Sequence, residues 1–320
     1  MKLRWAAAAI GLICGLLAAT AQAQDWPRKP VRVVVPNSAG SLSDIVARLV
    51  FAKVSDTLGQ QFFIDNRPGA GGSIGAELVA KSAPDGYTML MASDGMLTVN
   101  PFIYSKLGYD PMRDFAPVSL LAKLTTALYV NSGVGPRTLD EFVRMARANP
   151  GKILYSSGGN GHATHFAMEL FAWKANLQLV HVPYKGTAPA VQAAAAGEVA
   201  AVAVAVPVAT PFVASGKLLP LATIGAPSSE VMPGVPPLAS AFPDSEMVSW
   251  QAVFAPAKTP QGVIDTLQAA IQKVLATPDP KLRDSGTQEM ASSPAELGAL
   301  LRADYARNGE LAKRMKLKVD

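Results

Sequence analysis

Apolar residues along the chain form short β-branched runs, separated by stretches where they recur every three to four positions. PVRVVVP has the character of a buried parallel strand and is closed by Pro36. From about Ser41, the spacing of Val46, Leu49, Val50, Val54 and Leu58 predicts a helix with one apolar face. QFFID predicts a second strand, AELVAKSA a short helix, DG a turn and YTMLMAS a third strand. This alternation indicates a doubly wound α/β unit. PVSLLAKLTTALYVNS is a long extended run leading into a second series. That series reads helix RTLDEFVRMARANP, strand KILYSS, helix HATHFAMELFAWKAN, strand LQLVHVP, helix TAPAVQAAAAG, strand EVAAVAVAVP, short helix PFVASG and strand LLPLATIG. The Pro-rich APSSEVMPGVPPLASAFP is a connection, and MVSWQAVFAP is a second extended run. TPQGVIDTLQAAIQKVLA, a short DPKLRDS segment and SPAELGALLRADYARNGELAKR predict closing helices. Two α/β units joined by two extended crossings predict a cleft and a hinge.

The first residues break this pattern. Lys2 and Arg4 precede an apolar run from Trp5 to about Ala19, followed by the A-x-A site Ala21, Gln22, Ala23. This is the layout of a cleavable secretory signal peptide, with cleavage after Ala23 and export of the mature chain. A retained anchor helix is the alternative, although the run is short for a membrane span. Cys14 lies inside the apolar run, which argues against a lipoprotein signal. It is the only cysteine, so the mature chain from Gln24 has no disulfide, thiolate nucleophile or cysteine metal site. The mature length of 297 residues (320 less 23) suits about two domains. The patterning divides the chain into a signal peptide (1–23), a first part of domain 1 (24–124), domain 2 (125–246) and a return of domain 1 (247–320). Without Lys2 and Arg4 the balance is 27 basic against 24 acidic side chains, or +3. No basic run or aromatic-interleaved stripe suggests nucleic acid.

NRPGAGGSIGAEL carries two active-site patterns. Gly69, Gly71 and Gly75 approximate a dinucleotide fingerprint, with Asp94 further along. The spacing is wrong, and the loop follows the second strand, which lies at the edge of a sheet ordered 2-1-3. Gly71, Ser73 and Gly75 form G-x-S-x-G, but a nucleophile elbow needs a histidine late in the chain, and the last one is His181. The favoured reading is a tight turn in which Gly72 or Ser73 starts a helix. No catalytic residue, cofactor or metal is expected. His162, His165 and Glu169 share helical spacing, but two histidines and one glutamate are thin evidence for a metal.

NRPGAGGSIGAELVAKSAPDGYT, YDPMRDFAPVSLLA, ANPGKILYSSGGNGHATHFAMELF, VHVPYKGTAPA and FAPAKTP occur in that order. Together they resemble the substrate-binding receptors of tripartite tricarboxylate transporters, the Bug-type receptors, from about Trp26 to the C-terminus. The resemblance implies an α/β, two-domain type II periplasmic-binding-protein fold with a ligand cleft between domains. It also implies a monomer that captures a small organic carboxylate, performs no chemistry, and serves permease components or a sensor. Helix N-termini offer unpaired N–H groups and partial positive charge to such a ligand. PNSAGSLSD and SSGGNGHATH each precede a helix, and the resemblance identifies the same two loops as the carboxylate clamp.

The candidate ligand-binding residues are Asn37, Ser38, Ala39, Gly40, Ser41, Ser93, Asp94, Ser157, Asn160, Gly161, His162, Thr164, Tyr184 and Lys185. Asp44 with Ser41 fits a capping box, with ligand contact as its second reading. His165 reads as a buried structural histidine, and Lys185 as either an anion contact or a solvated lysine. The first loop departs from the family's usual PFPPGGGTD: Asn37 replaces an aromatic, and only Gly40 remains of the glycine run. His162 and Ala163 stand where small hydroxyl residues are usual, Asp94 where serine is frequent, and Ala200 and Val204 where aspartates are common. These changes raise two expectations. A protonated His162 would contact the ligand carboxylate and lose affinity between about pH 5.5 and 8. Asp94 would favour a ligand with an amino group or another hydrogen-bond donor. Two other readings stay open, an exported α/β enzyme using the Gly-rich loop and an interaction protein with a vestigial cleft.

Overall fold

A computed structural model of the chain describes residues 26–225, 232–245, 247–284, 287–316 and 318–319. The signal-peptide reading for residues 1–23 therefore lies outside the described residues.

The β-branched run at residues 31–35 forms strand β1 (Val31–Val35), in which all four valines are fully buried. Each buried valine contributes roughly 1.5 kcal/mol or more of hydrophobic stabilisation. Helix α1 (Leu42–Leu58) follows, capped by Ser41 and ended by Gly59, whose φ of 68° needs a residue without a Cβ. Strand β2 (Phe62–Asn66) pairs with β1 in parallel, and so does β3 (Thr88–Ser93) on its other side. Between β2 and β3 runs α2 (Ser73–Ala80). It begins at Ser73, as the turn reading of the Gly-rich loop expects and three residues before the AELVAKSA segment, because a 3-10 turn at Ala70–Gly72 delivers the chain directly into it. Two short helices, α3 (Asp94–Thr98) and α4 (Asn100–Ile103), follow β3, where the sequence pattern predicts no element.

The long extended run divides into β4 (Phe115–Leu124) and β5 (Thr126–Asn131). The two strands join different sheets, and Thr125 is the single residue between them. The second series comprises α5 (Leu139–Ala148), β6 (Ile153–Ser157), α6 (Ala163–Ala175), β7 (Leu179–Pro183), α7 (Thr187–Ala196), β8 (Ala201–Ala205), α8 (Val206–Ala214) and β9 (Leu218–Ile224). The short α9 (Leu238–Ala241) lies in the Pro-rich connection, of which residues 226–231 are outside the described residues. The chain then returns through β10 (Ser249–Pro256), α10 (Gln261–Leu275), α11 (Pro280–Asp284), β11 (Thr287–Glu289) and α12 (Pro294–Met315).

The first sheet is ordered β11-β4-β10-β3-β1-β2 and the second β7-β6-β8-β5-β9. Each has three parallel strands with the first of its series in the middle. A strand from the other part of the chain is antiparallel beside the third: β10 beside β3, and β5 beside β8. We call each sheet with its covering helices a lobe. Apolar clusters cover both faces of each sheet. α12 begins with a capping box, Ser293 with Glu296, and packs along α3, α4, β4 and α6. Buried Trp250 is 1% exposed and donates its indole N–H to Asp304 of α12 at 2.8 Å.

Candidate functional site

The loop after β1 is held from behind. Asp44 accepts hydrogen bonds from the Gly40 N–H, Arg48 Nε and Asn66 Nδ2, all at 3.0 Å. Burial pushes its pKa up, but the bonds from Arg48, Gly40 and Asn66 outweigh that and hold it below the usual carboxylate range. The box is shifted by one residue. Ser41 Oγ accepts from the Asp44 N–H at 3.4 Å, while the carboxylate reaches back to Gly40 rather than Ser41. Asp44 lines neither cavity described below.

The second loop is also organised around its helix. His162 caps α6, its Nδ1 accepting from the Thr164 N–H at 3.2 Å. Because Nδ1 accepts, Nε2 carries the proton and donates to Asn37 Oδ1 at 3.3 Å. Asn37 Nδ2 donates in turn to Ser43 Oγ at 3.1 Å. A chain of hydrogen bonds therefore links the first turn of α1 to the cap of α6 across the lobes. Burial pushes the His162 pKa down to about 4. The expected titration of His162 between pH 5.5 and 8 is thus corrected: the ring is neutral there, with both nitrogens engaged.

The lobes meet over two cavities that share Asn37 and His162 as lining. The outer cleft, about 390 Å³, lies between the loops at 36–38, 68–72, 158–160 and 183–186, with Tyr104 and Val319 at its side. The inner cavity is about 40 Å³. Its walls are the first turns of α1 (Ser41, Leu42, Ser43), α6 (Ala163, Thr164) and α7 (Thr187). Its floor brings together Ser93, Asp94, Thr126, Ser249 and Gln251. Asp94 is 2% exposed, and neither carboxylate oxygen has a hydrogen-bond partner. Burial and the nearby Asp304 charge push its pKa up to about 7. The backbone N–H groups of Gly95 and Trp250 oppose that rise without closing a hydrogen bond on it.

The proposed residues therefore separate. Asn37 and His162 line both cavities; Ser41, Ser93, Asp94 and Thr164 line the inner one, and Ser38, Asn160, Tyr184 and Lys185 the outer. Four of the expected residues lie outside both cavities. Ala39 and Gly40 are exposed and line neither cavity, because the Asp44 anchor turns that corner outward. Ser157 is fully buried, with its Oγ 2.6 Å from His181 Nε2. Gly161 packs on Asn100 and Tyr104, and its N–H donates to His165 Nδ1 at 3.2 Å. His165 stacks on His181 with ring centroids 3.8 Å apart, and Tyr155 donates to Glu169. Among the described residues, no group of three or more His, Asp or Glu side chains is placed to hold a metal ion.

The Gly-rich loop forms a tight turn, with β2 at the sheet edge. Ser73 Oγ accepts from Asn100 Nδ2 at 3.0 Å, while all three histidines sit in the other lobe. The loop nevertheless has a role that the sequence reading missed: residues 68–72 wall the outer cleft. Thr126, Thr187, Ser249 and Gln251 were missed as well. Gln251 had a readable signal, a polar residue alternating with apolar ones in a fully buried strand.

Two α/β lobes that close over a polar cavity ringed by helix N-termini define a two-domain solute-binding protein. Residues 46–317 match the family described as tripartite tricarboxylate transporter family receptor, and the chain belongs to that family. It is 37% identical over 286 residues to the UPF0065 protein in the tcbD-tcbE intergenic region of Pseudomonas sp. (strain P51), covering 88% of this chain and 85% of that one. It is 33% identical over 261 residues to protein BugT of Bordetella pertussis, covering 81% and 80%. Among solved structures it resembles R. palustris Rpa4515 with adipate, at 33% identity and TM-score 0.88, over 92% of this chain and 99% of that one. It also resembles MatC (Rpa3494) from Rhodopseudomonas palustris with bound malate, at 30% identity and TM-score 0.85, over 89% and 99%.

Proposed function

We propose that this chain is a periplasmic receptor that captures a small organic carboxylate between its lobes and acts by binding and release rather than catalysis. One observation carries the reading. The first turns of α1 and α6, which belong to different lobes, face a single hydroxyl-lined cavity that has no lysine or arginine among its described lining. Free N–H groups and the positive helix ends then bind the carboxylate. Closure removes water and strengthens each contact. The bound adipate and malate of the two similar structures support this class of ligand.

Residues 24–124 and 247–320 form one lobe and 125–246 the other, with the hinge at Thr125 and in the connection before β10. Residues 1–23 direct export, and the protein works as a monomer. Asn37, Ser38, Ser41, Ser93, Asp94, Asn160, His162, Thr164, Tyr184 and Lys185 form the ligand-facing set. Family membership supports delivery to the membrane components of a tripartite tricarboxylate-type transporter, or use as a sensor input. The test is calorimetric titration of the mature protein with mono-, di- and tricarboxylates. Saturable one-to-one binding of at least one, without turnover, is expected. A panel in which none binds, or a bound acid that is chemically converted, contradicts the proposal.

A further inference from the structure

The inner cavity contains more acceptors than the protein satisfies. Asp94 Oδ1, Asp94 Oδ2 and Gln251 Oε1 are buried without hydrogen-bond partners. All belong to residues lining that one cavity, and β3–β10 pairing sets Gln251 directly opposite Ser93, the residue before Asp94. Buried acceptors left unpaired are costly. Asp94 is also the only acidic or basic residue, histidine aside, among the described lining.

No lysine or arginine is among the described residues that line the cavity. Asp304 of α12 adds negative charge, and its own partners are Trp250 Nε1 and Arg307. Across the cavity, His162 of α6 is neutral and holds Asn37. The first turns of α1, α6 and α7 also line the cavity, and helix N-termini favour an anion. One cavity therefore brings helix starts and unpaired acceptors together.

We infer that the ligand is an amino carboxylate rather than a plain di- or tricarboxylic acid, its primary ammonium group seated on Asp94 and Gln251. This deepens the receptor reading and rests on it. Three acceptor atoms match the three N–H bonds of a primary ammonium. The inner cavity of about 40 Å³ takes the amino carboxylate head, its ammonium on Asp94 and Gln251 and its carboxylate at the helix starts, and the rest of the ligand extends past Asn37 and His162 into the outer cleft of about 390 Å³. Seating a cation also favours ionised Asp94, which burial otherwise disfavours.

The test uses matched pairs that differ only by an amino group: succinate with aspartate, glutarate with glutamate, and adipate with 2-aminoadipate. They are titrated calorimetrically into wild-type and Asp94→Ser protein at pH 8. The amino member of at least one pair should bind ten-fold or more tighter than its partner to the wild type, and the variant should lose that preference. Plain acids that bind as tightly as their amino partners overturn the inference and leave the receptor reading intact. If neither set binds, the receptor reading fails and the inference with it. A measurement that needs no variant repeats the titration at pH 6 in two buffers of different ionisation enthalpy. An ammonium lowers the Asp94 pKa and releases a proton on binding, whereas net proton uptake overturns the inference.

Discussion

Asn37 Oδ1 and His162 Nε2 lie 3.3 Å apart and join the loop after β1 to the cap of α6 across the cleft. Under the proposed closure, loss of this bond shifts the equilibrium towards an open arrangement. A typical hydrogen bond contributes about 1 kcal/mol net. Asn37→Ala should therefore weaken the best-binding carboxylate roughly three- to ten-fold, with a smaller effect on thermal stability. Unchanged affinity in calorimetry would mean that this bond does not govern closure.

The three histidines, His165 buried and His162 and His181 half-buried, have a shared pH signature. Burial pushes His162 and His181 down to about 4; burial and its two neighbours push His165 to about 3. Their unfolded value is near 6.5. Between about pH 4 and 6.5 the unfolded chain binds more protons, so this stabilisation is complete above 6.5 and is lost as pH falls. Proton NMR should show no histidine titrating between pH 5.5 and 8 in the folded protein. A titration midpoint inside that range would contradict the assigned tautomer and burial.

Asp94 works in the opposite direction. Its folded pKa, near 7, lies above the unfolded value, so the stabilisation from staying protonated fades as pH rises from about 4 to 7. In the ligand-free protein, Asp94→Asn should raise stability by ~2–4 kcal/mol at pH 8, with the gain shrinking towards pH 4. Denaturant midpoints at the two pH values check this, and an equal effect at both would refute it.

Gly186 meets Ser38 at the mouth of the outer cleft. A Cβ on Gly186 would lie 2.3 Å from Ser38 Oγ, and the backbone φ of 116° already disfavours a side chain. Gly186→Ala should reduce affinity ten-fold or more by blocking closure. Adding Ser38→Ala, which removes the clashing hydroxyl, should recover part of that loss. The absence of any recovery would place the effect in backbone strain alone.

Asp44 anchors the first loop through three hydrogen bonds. Asp44→Ala leaves the Gly40 N–H and Asn66 amide without that acceptor, and should cost ~2–4 kcal/mol by denaturant unfolding. Its depressed pKa gives stability that is present above the unfolded pKa near 4 and lost as pH falls further. A variant as stable as the wild type would return Asp44 to the ligand-contact reading.

Much of this architecture was legible because burial leaves a periodic trace. The valines of β1 and the 3.6-residue spacing of α1 identified both elements. The break at Thr125 was not legible, since both strands it separates are apolar and buried. Helices α3 and α4 are too short to show a period. At the site, the two helix-starting loops could be read from their small and hydroxyl residues. The outward turn at Ala39 and Gly40 depends on Asn66 and Arg48 supporting Asp44, a contact between distant segments with no local signature. Ser157 looked like a donor at a strand end, but its neighbour His181 comes from the next strand.

The central claim is that the lobes close on a small organic acid. The most direct measurement is native mass spectrometry of the mature protein, purified without denaturation and then given an equimolar mixture of carboxylates. The account predicts one small acid retained per chain and released on denaturation. A nucleotide-sized adduct, or a chain that retains no acid from the mixture, would contradict it.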